Sequence, residues 1–245
     1  MTATVALAGA AGGVGTTRLT VECGATLTRA GYDVAVLGAA YATQGLAAYV
    51  EGRLETDITE VVTDDRDLGE ALVTHPADTP GTLALAPARA PFEGLARAKT
   101  AGAAERFEER MAAAALSHDV VLVDTPPLAA NQAVAAATAA DRVAVVTADS
   151  RRGADALART RGRLQDVGTA ADAVLVNRAV EPEVVTEADA AVPASAVGRA
   201  ADCPAVLPPD DSFAPAVAAA TERAVGVSLE LEFPEGGRLD GLLDG

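Results

Sequence analysis

The stretch Thr4-Val5-Ala6-Leu7-Ala8-Gly9-Ala10-Ala11-Gly12-Gly13-Val14-Gly15-Thr16-Thr17-Arg18 decides the fold. Thr4–Ala8 is an apolar run of strand length, and four glycines follow within seven residues, Gly9 to Gly15. From Thr17 to Ala30 the apolar positions take a helical period. A glycine-rich turn between a buried strand and a helix aims free N–H groups and the positive end of the helix dipole at one point. That makes an anion site, and phosphate is its usual guest.

Outward from this unit the same alternation repeats. Val34–Leu37, Thr82–Ala86, Val120–Val123, Arg142–Thr147 and Ala173–Val176 read as strands, with shorter candidates at Ala191–Val192 and Ala205–Leu207. Helical periods occupy Ala103–Ser117, Leu128–Ala139, Gly153–Val167 and Phe213–Val225. Strands apolar on both faces, alternating with helices, predict an α/β fold: a mostly parallel sheet with helices on both faces. One domain is expected over 1–227, followed by an acidic, glycine-containing tail over 228–245 that frays from Glu230. The segment from Gln44 to Pro80 mixes short helical pieces with acidic turns and gives no clear element.

Composition narrows the chemistry. Of 245 residues half are hydrophobic but only 3% aromatic, so the core must be built from Ala, Val and Leu. The net charge of −16 argues against a broad basic footprint for DNA or anionic lipid. The 19 basic residues include one lysine, Lys99, so a mechanism needing lysine elsewhere is excluded. Excess acid with almost no lysine matches adaptation to a high-salt cytoplasm, as in a halophilic archaeon, where screening at about 3 Å blunts self-repulsion. Cys23 and Cys203 are expected as reduced thiols, and two histidines are too few for a His-rich metal site. No apolar run has the length of a membrane span, and a cytoplasmic protein is expected.

Two phosphate-binding patterns fit the loop. Gly9, Gly13 and Gly15 resemble the Gly-x-x-x-Gly-x-Gly of short-chain dehydrogenases. Gly12-Gly13-Val14-Gly15-Thr16-Thr17 resembles the deviant Walker A loop of the ParA/MinD ATPases, Gly-Lys-Gly-Gly-Val-Gly-Lys-Thr-Thr. The Tyr-x-x-x-Lys pair of the dehydrogenases is absent, because Leu95 stands four residues before Lys99. No acid closes the second strand, where Gly38 follows Leu37. By contrast, Val120–Pro127 ends in Asp124-Thr125-Pro126-Pro127 like the ParA/MinD Walker B strand, and Val174–Arg178 resembles that family's strand ending in Asn-Arg.

This resemblance covers about residues 1–227. It implies a P-loop NTPase fold that takes ATP or ADP with Mg²⁺. The nucleotide would lie on Gly12, Gly13, Val14, Gly15, Thr16 and Thr17, with Asn177 and Arg178 at the base, and Thr17 and Asp124 would serve the metal. Arg18 is a further candidate for the phosphates. The departures matter equally. The family's two loop lysines fall at Ala11 and Thr16, its first loop glycine at Ala10, and its water-orienting aspartate at Ala40. Little or no turnover is expected. The implied role is nucleotide-dependent positioning or regulation, related to cell division or chromosome partitioning, through a homodimer or a regulatory protein partner. The alternatives are a slow but genuine ATPase, an interaction protein without nucleotide, and an NAD(P)-binding protein. The acidic tail lacks the basic amphipathic helix of the MinD branch, and no basic cluster like that of DNA-binding ParA is present.

Overall fold

The structure, a computed structural model, describes residues 2–76, 78–210 and 212–234. Strand β1 (Ala3–Gly9) leads through the glycine loop into α1 (Thr16–Arg29). The chain continues through β2 (Val34–Gly38), α2 (Ile58–Thr63), β3 (Val73–Thr74), β4 (Leu83–Ala86), α3 (Phe92–Ala98) and α4 (Ala101–Ala115). It then runs through β5 (Val120–Thr125), α5 (Asn131–Ala139), β6 (Arg142–Ala148), α6 (Arg151–Asp166), β7 (Ala173–Asn177), β8 (Ala190–Val192) and α7 (Phe213–Val225).

The strands form one sheet in the order β3-β4-β2-β5-β1-β6-β7-β8. Every pairing among the described residues is parallel except that of β3 with β4. Strand alternation sends Val5 and Leu7 to the face covered by α1 and α7, and Ala6 and Ala8 to the opposite face. There Val121 and Val123 meet α4, while Val143 and Val145 meet α6. Small alanines on both layers let helices sit close to the sheet. The expected α/β architecture with a mostly parallel sheet and helices on both faces is therefore the observed one.

Parallel register brings the carboxyl ends of β1, β2, β5, β6 and β7 to one edge. Gly38 lies opposite Asp124, Gly9 opposite Val146, and Ala148 opposite Asn177. Strand β5 is inserted between β1 and β2. A dinucleotide-binding sheet places its second strand directly beside the first, so this order departs from the dehydrogenase alternative.

Three local expectations are corrected. Ala205–Leu207 forms turns and no strand. Pro204 and Pro208 bracket it without N–H donors, and the N–H groups of Ala205 and Val206 go to the Glu22 carboxylate at 2.9 and 3.0 Å. Helix α5 starts at Asn131, three residues after the apolar pattern begins, since Pro126 and Pro127 precede an extended approach. Packing also continues beyond 227. Leu229 and Phe233 lie against the core, and Arg29 donates to the Glu232 carbonyl at 2.9 Å. The remainder of the tail, 235–245, lies outside the described residues.

Candidate functional site

The glycine loop is anchored at its start by the Ala10 N–H, which donates to the Val146 carbonyl at 2.8 Å. Gly13 and Gly15 have φ of 81° and 87°, a conformation that side chains disfavour. Gly15 is also the N-cap of α1 and offers no side-chain cap, and the first turn carries no acid. The first intrahelical bond runs from the Leu19 N–H to the Gly15 carbonyl at 3.0 Å. The preceding helix N–H groups and the positive dipole end are thus left bare toward the loop. Thr16 does not extend toward that space. Its hydroxyl folds back on β1, where a Cβ on Gly9 would lie only 2.7 Å from Thr16 Oγ1.

Asp124 lies at the carboxyl end of β5. Val120 and Leu122 belong to the core under α1, so alternation turns Asp124 to the same side, toward Thr17. It is 1% exposed, and its Oδ2 has no hydrogen-bond partner. Burial pushes its carboxyl up to about 6, and the Thr17 hydroxyl beside it pulls the other way. The loop after β2 rests on the same threonine, since a Cβ on Gly45 would lie 3.3 Å from Thr17 Oγ1. A buried carboxylate oxygen without a partner, next to a hydroxyl, is a hard oxygen donor set that fits Mg²⁺. Ala40, in the loop between Gly38 and Gly45, contributes no polar side chain.

Asn177 ends β7 and clamps the loop. Its Nδ2 donates to the Val14 carbonyl at 2.9 Å, and its Oδ1 accepts from the Arg178 N–H at 3.0 Å. One amide proton and one lone pair remain for a ligand. A Cβ on Gly15 would collide with Asn177 Nδ2. Arg178 has φ of 64°, and its guanidinium reaches back to the Gly13 carbonyl at 3.4 Å. The Asn-Arg pair stands between two cavities. One, of about 280 Å³, is lined by the loop from Ala11 to Val14 with Asp149 and Arg152. The other, of about 250 Å³, is lined by Leu19, Val192, Pro193 and Ser195.

Arg18 is engaged elsewhere. Its Nε pairs with Glu22, its Nη1 donates to the Val197 carbonyl at 3.2 Å and its Nη2 to Ser195 Oγ at 3.1 Å. The cause is Glu22, one helical turn on and fully buried, which needs a cation beside it. The guanidinium therefore ties the segment 195–206 to α1, and it lines the second cavity rather than the phosphate loop.

The structure thus gathers Gly12, Gly13, Val14, Gly15, Thr16, Thr17, Asp124, Asn177 and Arg178 at one sheet edge, and directs Arg18 sideways. Sequence reading passed over Glu22 and Gln132. Glu22 had a usable signal, an i, i+4 pairing with Arg18. Arg152, at the start of α6, also lies beside the loop.

A family model described as AAA domain matches residues 2–175. No curated protein matches the chain in sequence. Among solved structures, a chain of the MinC:MinD cell division protein complex of Aquifex aeolicus is similar, with 22% identity, a TM-score of 0.74, and coverage of 96% of this chain and 100% of that one. The septum site-determining protein MinD complexed with Mg-ADP from Pyrococcus horikoshii OT3 is 17% identical, with a TM-score of 0.71 over 89% of this chain and 95% of that one. A ParA family ATPase from Chlorobium tepidum TLS is 18% identical, with a TM-score of 0.67 over 80% and 86% of the two chains. Likeness at this level is likeness of fold. No described helix is long and apolar enough to cross a membrane. With the family model matched over most of this chain, the chain belongs to the AAA-domain family, and its fold is that of the MinD and ParA structures.

Proposed function

We propose that this chain is a ParA/MinD-like nucleotide-binding protein whose occupancy by Mg²⁺ and ATP or ADP governs positioning or partner binding, with little turnover. The observation that carries this reading is the partnerless buried oxygen of Asp124 beside Thr17, facing the bare N-terminus of α1. A fold does not leave a carboxylate in that state for its own stability. In this reading Gly12–Thr17 cradle the phosphates by backbone N–H groups. Thr17 and Asp124 hold Mg²⁺, Asn177 offers its spare donor and acceptor to the base, and Arg178 supplies a cation over the loop. Mg²⁺, when bound, neutralises phosphate charge.

Slow chemistry follows from what the site lacks. Phosphoryl transfer depends on positioning and charge stabilisation, and loss of one preorganised donor costs about 10²–10³ in rate. Here Ala11, Thr16 and Ala40 stand where two cations and a carboxylate are expected. A high-salt origin and a nucleotide-dependent homodimer or regulatory partner belong to the same proposal.

Calorimetric titration with ATP, ADP, GTP and NADPH, each with and without Mg²⁺, tests it. Adenine nucleotides should bind and depend on Mg²⁺, and NADPH should not bind. Absence of heat and of a thermal shift at millimolar nucleotide would sink the proposal and favour an interaction protein. Turnover near 1 s⁻¹, within the ordinary enzyme range, would make it a true ATPase.

A further inference from the structure

Gln132 is the second residue of α5, 2% exposed, and its Oε1 has no hydrogen-bond partner. Its neighbours on the buried side of the helix are alanines: Ala133, Ala135, Ala136 and Ala137. An alanine or leucine at 132 would leave no carbonyl orphaned. A buried amide held among alanines gives the fold only one long bond, from Nε2 to the Ala39 carbonyl at 3.4 Å. That bond places it. The N–H of the same Ala39 donates to the Asp124 carbonyl at 2.9 Å. Gln132 and Asp124 are therefore joined through one residue, at the sheet edge where the loop 39–45 rests on Thr17. Each carries a buried acceptor oxygen with no donor. The next residue, Ala40, has no polar group to offer.

A water proton is the missing complement to such an acceptor. Resting on the Mg²⁺–nucleotide reading above, we propose that Gln132 is the water-positioning residue of this site and supports its residual hydrolysis. The water oxygen bonds to the terminal phosphorus. The bond from that phosphorus to the bridging oxygen breaks, and its electron pair leaves with the nucleoside diphosphate. Both water protons end on the released phosphate, one kept on the attacking oxygen and the other passed to a phosphate oxygen. Gln132 accepts a hydrogen bond from the water and exchanges no proton itself, which leaves the reaction slow.

The test uses the full chain, Gln132→Met and Gln132→Glu. Single-turnover phosphate release from Mg-ATP, calorimetric affinity for ADP, and melting without ligand are measured for each. Gln132→Met should lose about tenfold or more in phosphate release while keeping ADP affinity within about twofold. Its melting temperature should not fall, because an orphaned acceptor has been removed. Gln132→Glu retains an acceptor and should keep phosphate release, with a rate that rises as the carboxylate ionises. Wild-type release in Gln132→Met, or no release from the wild type, overturns the proposal. So does a fall in melting temperature with a parallel loss of ADP affinity, the mark of a structural prop. Should Gln132→Met not fold, a Gln132→Glu pH profile identical to the wild type's overturns it. Failure of the wild type to bind ADP would instead bring down the nucleotide reading itself.

Discussion

Replacing Asp124 by Asn asks whether this carboxylate serves a ligand or the fold. In the ligand-free protein, burial raises its carboxyl from 3.8 to about 6. Between those values the folded state holds the proton more tightly than the unfolded chain does. The contribution to stability is fully present below the unfolded value. It is lost as pH climbs toward the folded value and stays lost above it. A shift of roughly two pKa units corresponds to about 3 kcal/mol at neutral pH. The buried Asn amide still lacks partners, at about 1–3 kcal/mol, so the absolute gain of Asp124→Asn at neutral pH is small. The pH dependence of the difference is larger. The handicap of the wild type is about 1 kcal/mol at pH 4.5 and about 3 kcal/mol at pH 7.5, so the variant gains about 2 kcal/mol across that range. Urea unfolding of both proteins in EDTA and constant high salt measures this, and the other carboxylates cancel in the comparison. Saturating Mg-ATP should reverse the order, since only the wild type then gains binding energy. A difference that does not change with pH, or that moves against the variant as pH rises, would refute the reasoning.

Gly15→Ala should abolish nucleotide binding by calorimetry and cost about 1–3 kcal/mol in urea unfolding, because φ is 87° and the new Cβ meets Asn177. Arg178→Gly relieves a left-handed backbone at φ 64°; it should leave urea stability unchanged or raised while weakening ATP more than adenosine in titration. Glu22→Ala removes a fully buried acceptor of Arg18, Ala205 and Val206, and unfolding should show a loss of about 3–5 kcal/mol. The melting temperature should climb between about 0.1 and 2 M KCl as the screening length contracts from ~10 Å to ~3 Å or less. A flat series would remove the high-salt reading of the −16 charge.

Much of this site was legible because its parts are local. A strand, four glycines and a helix are contiguous, and Asp124 and Asn177 each lie at the carboxyl end of a strand whose apolar run announces it. Parallel register then does the rest, since strand ends in a parallel sheet share one edge. What escaped is non-local or short. Strand β3 has two residues and pairs antiparallel at the edge, too brief for any period. Helix α3 follows Pro91 with exposed Phe92 and only Ala98 buried, so it lacks an apolar stripe. Ala205–Leu207 has strand composition, yet its N–H groups answer a carboxylate more than 180 residues away in the chain. The direction of Arg18 depends on that same carboxylate. Gln132 looks in sequence like any polar residue near a helix start, and only its burial and its orphaned oxygen single it out.

The position of a bound nucleotide decides whether Gly12–Thr17 is a phosphate site. A crystal structure of the chain grown with Mg-ADP tests this most directly. The prediction is a diphosphate over the backbone of Gly12–Thr17, with Mg²⁺ at Thr17 and Asp124 and the base against Asn177. Crystals that hold ADP elsewhere, or that show the loop empty at ADP concentrations saturating for the MinD and ParA proteins, would contradict it.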